Sequence, residues 1–129
     1  MTYPSISVVV PIHNKADHLP RFFDRLEAQD LQHAEVILVD DGSTDDGPTL
    51  ARRWCDDGQG RQFLQQENRG PSAARNAGAH ASTSPAVTFI DADDWPLDGW
   101  LSGFVHWLGA GAGMVICRAT LEGDGGVRP

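Results

Sequence analysis

The chain is expected to fold as a three-layer α/β/α domain on an open, mostly parallel sheet. Two observations predict this. Short β-prone runs alternate with amphipathic helical stretches five times along the 129 residues, the pattern that lays helices over both faces of a parallel sheet. The polar clusters His13-Asn14, Asp40 to Thr44, Asn68 to Gly70 and Asp91 to Asp94 each follow one of those runs. Open α/β sheets bind ligands at those strand ends.

Ile6 to Ile12 is a β-branched run that reads as a buried strand. Asp17 is placed as the cap of a helix with Pro20 in its first turn; Leu19, Phe22, Phe23 and Leu26 form one apolar stripe. Val36 to Val39 is the second strand. Thr44 or Asp45 caps the next helix, with Pro48 in its first turn and Leu50, Ala51, Trp54 and Cys55 inside. Gln62 to Gln65 is a weaker strand, followed by a small-residue helix from Ser72 to Ala79. Then come a strand Val87 to Ile90, a helix burying Leu97, Trp100, Leu101, Phe104 and Leu108, and a strand Met114 to Cys117. Residues 118–129 hold no apolar period and read as a frayed tail of a single domain spanning 1–129.

Composition narrows the function. A 40% hydrophobic and 22% charged chain is ordinary globular protein. No run approaches the ~18 apolar residues of a membrane span and no leader opens the chain, so the expected location is cytoplasmic, at most peripheral at the inner membrane face. A net charge of −8 argues against nucleic acid as a partner. Seven of the fourteen aspartates lie at 40, 41, 45, 46, 91, 93 and 94, so the acidity is local. Cys55 and Cys117 lack metal or redox spacing and read as buried reduced thiols.

The run Val87-Thr-Phe-Ile-Asp-Ala-Asp-Asp-Trp95 drives a strand into carboxylates at 91, 93 and 94. Such charges repel unless a cation or proton sits between them. Oxygen ligands of this kind suit a hard divalent ion that also takes phosphate oxygens. A lone Asp-X-Asp is commonly a solvated turn. The second acidic strand end at Asp40-Asp41 favours a site.

Three motifs in this order resemble the nucleotide-sugar-binding half of the family 2 glycosyltransferases, which have the GT-A fold. They are Ser7-Val-Val-Val-Pro-Ile-His-Asn14, Val39-Asp-Asp-Gly-Ser-Thr-Asp45, and Asn68-Arg-Gly-Pro-Ser-Ala-Ala-Arg-Asn-Ala-Gly78 followed by Asp91-Ala-Asp-Asp94. The resemblance implies transfer of a sugar from a nucleoside-diphosphate sugar, UDP-type favoured, to an acceptor hydroxyl with inversion. It places Pro11 and Asn14 by the nucleotide, Asp41 or Asp40 at the base edge, and Arg75 near base or diphosphate. Asp91-Ala92-Asp93 matches the family's DXD motif, with Asp91 toward the ribose, Asp93 on Mg²⁺ or Mn²⁺, and Asp94 as the fallback ligand. The acceptor stays open, self-association is possible on this reading, and no residue presents itself as the catalytic base. His13 replaces a common tyrosine, and Asp98 stands where the family usually has proline.

His18, His33, His80 and His106 read as surface or core residues, Arg52-Arg53 as a solvated face, and all the tryptophans but Trp95 as core. A phospho-receiver domain shares the acidic strand ends but needs a lysine after its last strand; the sole lysine is Lys15. An aspartate-nucleophile phosphatase fails on Asp94-Trp95 and the same missing lysine. The runner-up is a nucleotide-sugar-binding fragment without turnover.

Overall fold

Strands β1 (Ile6–Ile12), β2 (Ala34–Asp41), β3 (Arg61–Gln66) and β4 (Val87–Phe89) alternate with helices α1 (Leu19–Glu27), α2 (Gly47–Asp56), α3 (Pro71–Ala81) and α4 (Trp100–Gly109) in the computed structural model, which describes residues 6–114. The sheet runs β3-β2-β1-β4, every pair parallel. From β1 the chain steps outward to β2 and β3, then returns across β1 to lay down β4. The order therefore reverses between β1 and β4, and a crevice at such a reversal is where doubly wound sheets hold ligands.

Alternation along the strands builds two cores. Ile6, Val8, Val10 and Ile12 of β1 join Val36 and Leu38 of β2 under Leu19, Phe22 and Leu26 of α1, Trp54 of α2, and Leu101 and Phe104 of α4. Val9, Ile37 and Val39 point the other way, against Ala74 of α3. Phe23 and Trp54 lock α1 to α2 by a near-parallel stack at 4.7 Å, and the Trp54 indole N–H donates to Glu27 Oε1 at 2.9 Å. Cys55 is a buried free thiol, and burial pushes it up to about 11, so it stays protonated and inert. No helix among the described residues is long and apolar enough to cross a membrane.

Helix α3 sits unusually close to the sheet. A Cβ on Gly78 would collide with Val9 and meet Val39 Cγ2 at 3.2 Å. Overpacking of this kind destabilises by typically 1–3 kcal/mol. Gly78→Ala is expected to lose about 2 kcal/mol in a urea melt despite the better helix propensity of alanine.

Several expected details differ. Asp17 does not cap α1: His18 holds the cap position without a side-chain bond, and the Lys15 carbonyl instead accepts the N–H groups of His18 and Leu19. The cap position of α2 is Asp46, again without a side-chain bond. Asp45 nevertheless satisfies a first-turn donor, accepting the Gly47 N–H at 2.9 Å, while its other oxygen takes the Ala16 N–H. Leu97 lies before α4 and is 62% exposed; Gly99, at φ 80°, starts the helix after it. The Leu97 carbonyl accepts from Gln29 Nε2 at 2.9 Å. Trp107 is exposed rather than core, since Leu101 and Phe104 already fill the buried face of α4. Met114 is exposed and outside any strand. The rest of that expected strand, Cys117 and the tail 118–129 lie outside the described residues.

Candidate functional site

The tip of β1 lies between the two acidic strand ends. His13 Nδ1–H donates to the Asp41 carbonyl at 2.9 Å, which leaves Nε2 as an acceptor toward Asn14 Nδ2. Asn14 adopts φ +51°, a conformation that short polar side chains tolerate best. It is fixed there by the β2–α2 loop: its N–H donates to Ser43 Oγ at 2.9 Å and its Oδ1 accepts the Thr44 N–H at 2.8 Å. On the other side Lys15 Nζ reaches Asp93 Oδ2 at 2.9 Å. Residues 13–15 thus bridge the end of β2 to the carboxylates beyond β4. Pro11, half-buried, pairs in register with Val39 just behind this tip.

The carboxylates at the end of β2 are not free. Asp41 is buried; its Oδ1 accepts from Gln66 Nε2 at 2.9 Å and the Arg69 N–H at 2.7 Å, and Oδ2 accepts the Gly70 N–H at 3.0 Å. Burial alone would push its carboxyl up, but the Gln66, Arg69 and Gly70 donors together hold it below the ordinary carboxylate value. Gly42 allows this loop to close: at φ +73°, a Cβ there would meet the Asn68 amide nitrogen at 2.8 Å. Asp40 is fully buried, with Oδ2 accepting the Ser43 N–H and Oδ1 without a partner.

Beyond β4, Asp91, Asp93 and Asp94 each offer one carboxylate oxygen, and the three oxygens lie within 4.8 Å of one another. Ala92 between them is buried and pins the turn, and the Asp94 N–H bonds the Asp91 carbonyl. Lys15 holds the Asp93 carboxyl below its ordinary value by hydrogen bond and charge. Asp94 is pushed the other way, by burial and by the charges of Asp91 and Asp93. Arg75 Nη2 donates to Asp91 Oδ1 at 3.0 Å.

An all-oxygen donor set fits Mg²⁺ or Mn²⁺. About 2.1 Å bonds put opposite ligands about 4.2 Å apart, within small rotations of the observed spread. The repulsion felt by Asp94 is what a cation would relieve. Of the expected site residues, Asn14, Arg75, Asp91, Asp93 and Asp94 are exposed or half-buried near this rim, Pro11 lies just behind it, Ala92 is buried within the turn, and the Asp40 and Asp41 carboxylates face inward. Lys15, Ser43, Thr44 and Gln66 were not anticipated as participants. The signal for Lys15 was available, since it directly follows Asn14 at the end of β1. Its place upstream of both acidic clusters in sequence says nothing about distance once β1 lies beside β4.

Among known proteins, the family described as Glycosyl transferase family 2 matches residues 7–128. The chain is 30% identical over 122 residues to the putative glycosyltransferase EpsH of Bacillus subtilis, covering 95% of this chain and 36% of that protein. It is 32% identical over 124 residues to a GalNAc(5)-diNAcBac-PP-undecaprenol beta-1,3-glucosyltransferase of Campylobacter jejuni, covering 95% and 40%. A mannosyltransferase from Pyrobaculum calidifontis, solved in complex with GDP-Man and Mn²⁺, superposes with a TM-score of 0.73 at 32% identity, over 82% of this chain and 32% of that one. A parallel α/β sheet whose reversal point gathers a DXD-type acidic turn has the architecture of a GT-A fold. The chain belongs to glycosyltransferase family 2. It spans well under half the length of the curated relatives it matches.

Proposed function

We propose that this chain is the donor-binding part of a metal-dependent, inverting glycosyltransferase that moves a sugar from a nucleoside-diphosphate sugar to an acceptor hydroxyl. The observation that carries the reading is the carboxylate group Asp91, Asp93 and Asp94 beside the β1 tip, at the reversal point of the sheet. Asp93 would hold Mg²⁺ or Mn²⁺, with Asp91 shared between metal and ribose and Asp94 as the alternative ligand. A metal so held neutralises charge growing on the departing nucleoside diphosphate.

The chain's own residues prepare that site. Pro11 and Asn14 set the height of the β1 tip against which a nucleoside would lie. Asp41 fastens the 66–70 loop through its Gln66, Arg69 and Gly70 bonds. With its carboxylate buried behind those bonds, Asp41 would act on a bound base through the loop it fastens rather than by direct contact. Arg75, paired with Asp91, would be the α3 cation available to a diphosphate. The mannosyltransferase neighbour's GDP-Man and Mn²⁺ support the ligand class.

Calorimetric titration with UDP, GDP and dTDP is expected to give binding by at least one nucleotide, tightened by Mn²⁺; absence of binding by all three, with and without metal, overturns the reading. The coverage of only 36% and 40% of the relatives favours a second reading, a binding part that completes no transfer alone. Radiolabelled donor with and without added acceptor separates the two.

A further inference from the structure

The acidic turn after β4 meets two cations of very different kinds. Arg75 comes from α3, with a planar fork on Asp91. Lys15 comes from a backbone that is held on both sides: Asn14 is bonded to Ser43 and Thr44, and the Ala16 N–H to Asp45. Its Cα is fixed, while its four-carbon stem is free to swing and its ammonium is a point charge with three donors. Both partners are reachable by solvent and ligand, at 32% exposure for the Lys15 side chain and 44% for Asp93. An ion pair exposed to this degree exchanges partners readily.

We propose that Lys15 is an exchangeable counter-ion: it occupies Asp93 when the site is empty and passes to the diphosphate when the nucleotide binds, releasing Asp93 to the metal. This inference rests on the donor-site reading above. Asp93 cannot give the same oxygen fully to an ammonium and to a cation, so Lys15 opposes metal binding in the absence of nucleotide. A diphosphate offers Lys15 a more highly charged partner at the same strand tip and removes that opposition. Metal and nucleotide then favour each other's binding, and by linkage the effect is the same whichever binds first.

The test is a pair of titrations on Lys15→Met and Lys15→Arg, with Mn²⁺ alone and with UDP or GDP alone, whichever the unaltered chain binds. Lys15→Met is expected to tighten Mn²⁺ and weaken the nucleotide, each by up to about fivefold, the ceiling for a part-exposed ion pair. Lys15→Arg is expected to restore both. A residue that merely supports the fold would weaken both ligands. Because Lys15 is the only lysine, a chain labelled with ¹³C at lysine Cε gives one side-chain signal, expected to shift when the nucleotide is added. Same-sign changes in Lys15→Met, an unchanged Mn²⁺ affinity, or a signal unmoved by bound nucleotide would overturn the proposal while leaving donor binding intact. Failure of the unaltered chain to bind either ligand would overturn both.

Discussion

Asp93→Ala is expected to abolish the gain in nucleotide affinity that Mn²⁺ confers, leaving a weak, metal-insensitive residue of binding. Losing an outer-shell partner of a metal ligand typically lowers affinity 10–100-fold, and loss of a ligand itself should exceed that range. The fold should survive, because Asp93 is exposed and its only described side-chain partner is Lys15; surface changes of this kind stay within about 0.5 kcal/mol. Removing Asp93 also takes away one of the two charges that raise Asp94, so Asp94 should ionise more readily in the variant. Calorimetry with and without metal reads the first effect and carboxyl NMR the second. Undiminished enhancement by Mn²⁺ would move the metal away from Asp93.

Asp41→Asn is expected to act mainly on the fold. Asn replaces one acceptor oxygen with an NH₂ group, so at least one of the Gln66, Arg69 and Gly70 donors meets another donor inside a buried pocket. Hydrogen bonds to charged groups are worth about 1.5–3 kcal/mol, and a stranded buried donor adds a similar penalty. A loss of about 3 kcal/mol follows, read by denaturant midpoint. The pH dependence has a definite sign. The folded carboxyl is held below its ordinary value of 3.8, so the unfolded chain takes up a proton first as acid is added. The Asp41 contribution is therefore complete above pH 3.8 and is lost as pH falls from there through the lower folded value. Asp41→Asn should flatten that acid limb. Loss of nucleotide affinity is expected too, since the 66–70 loop is released, and it should appear without a direct change in metal affinity.

The layered fold was legible because β1 and β2 are buried on both faces, and only an unbroken apolar run does that; Val8 to Val10 and Val36 to Val39 could hardly be anything else. The amphipathic stripe of α1 was equally plain, with all four of its expected apolar residues buried. What misled was local chemistry. Asp17 has the right residue type for a cap, but a turn closed by the Lys15 carbonyl supplied the need first. Leu97 fits a helical period until Gly99 interrupts it. At the site, composition marks the two acidic clusters but does not say which way a carboxylate points. Asp40 and Asp41 sit side by side in sequence, so strand alternation sends them to opposite faces, and neither faces solvent as an exposed acid would. The position of Lys15 at the end of β1 is legible, but its pairing with Asp93 depends on β4 landing beside β1, which no local pattern encodes.

Gly78 and Arg75 lie three residues apart on α3, on neighbouring positions of one helical surface. The absent side chain of the former lets the helix axis settle deep against Val9 and Val39, and that depth sets how far the guanidinium of the latter extends toward Asp91. A bulkier residue at 78 would raise the whole lever, drawing its positive end back from the acidic turn. A change that looks purely mechanical would then register as altered anion recognition at the far rim of the sheet.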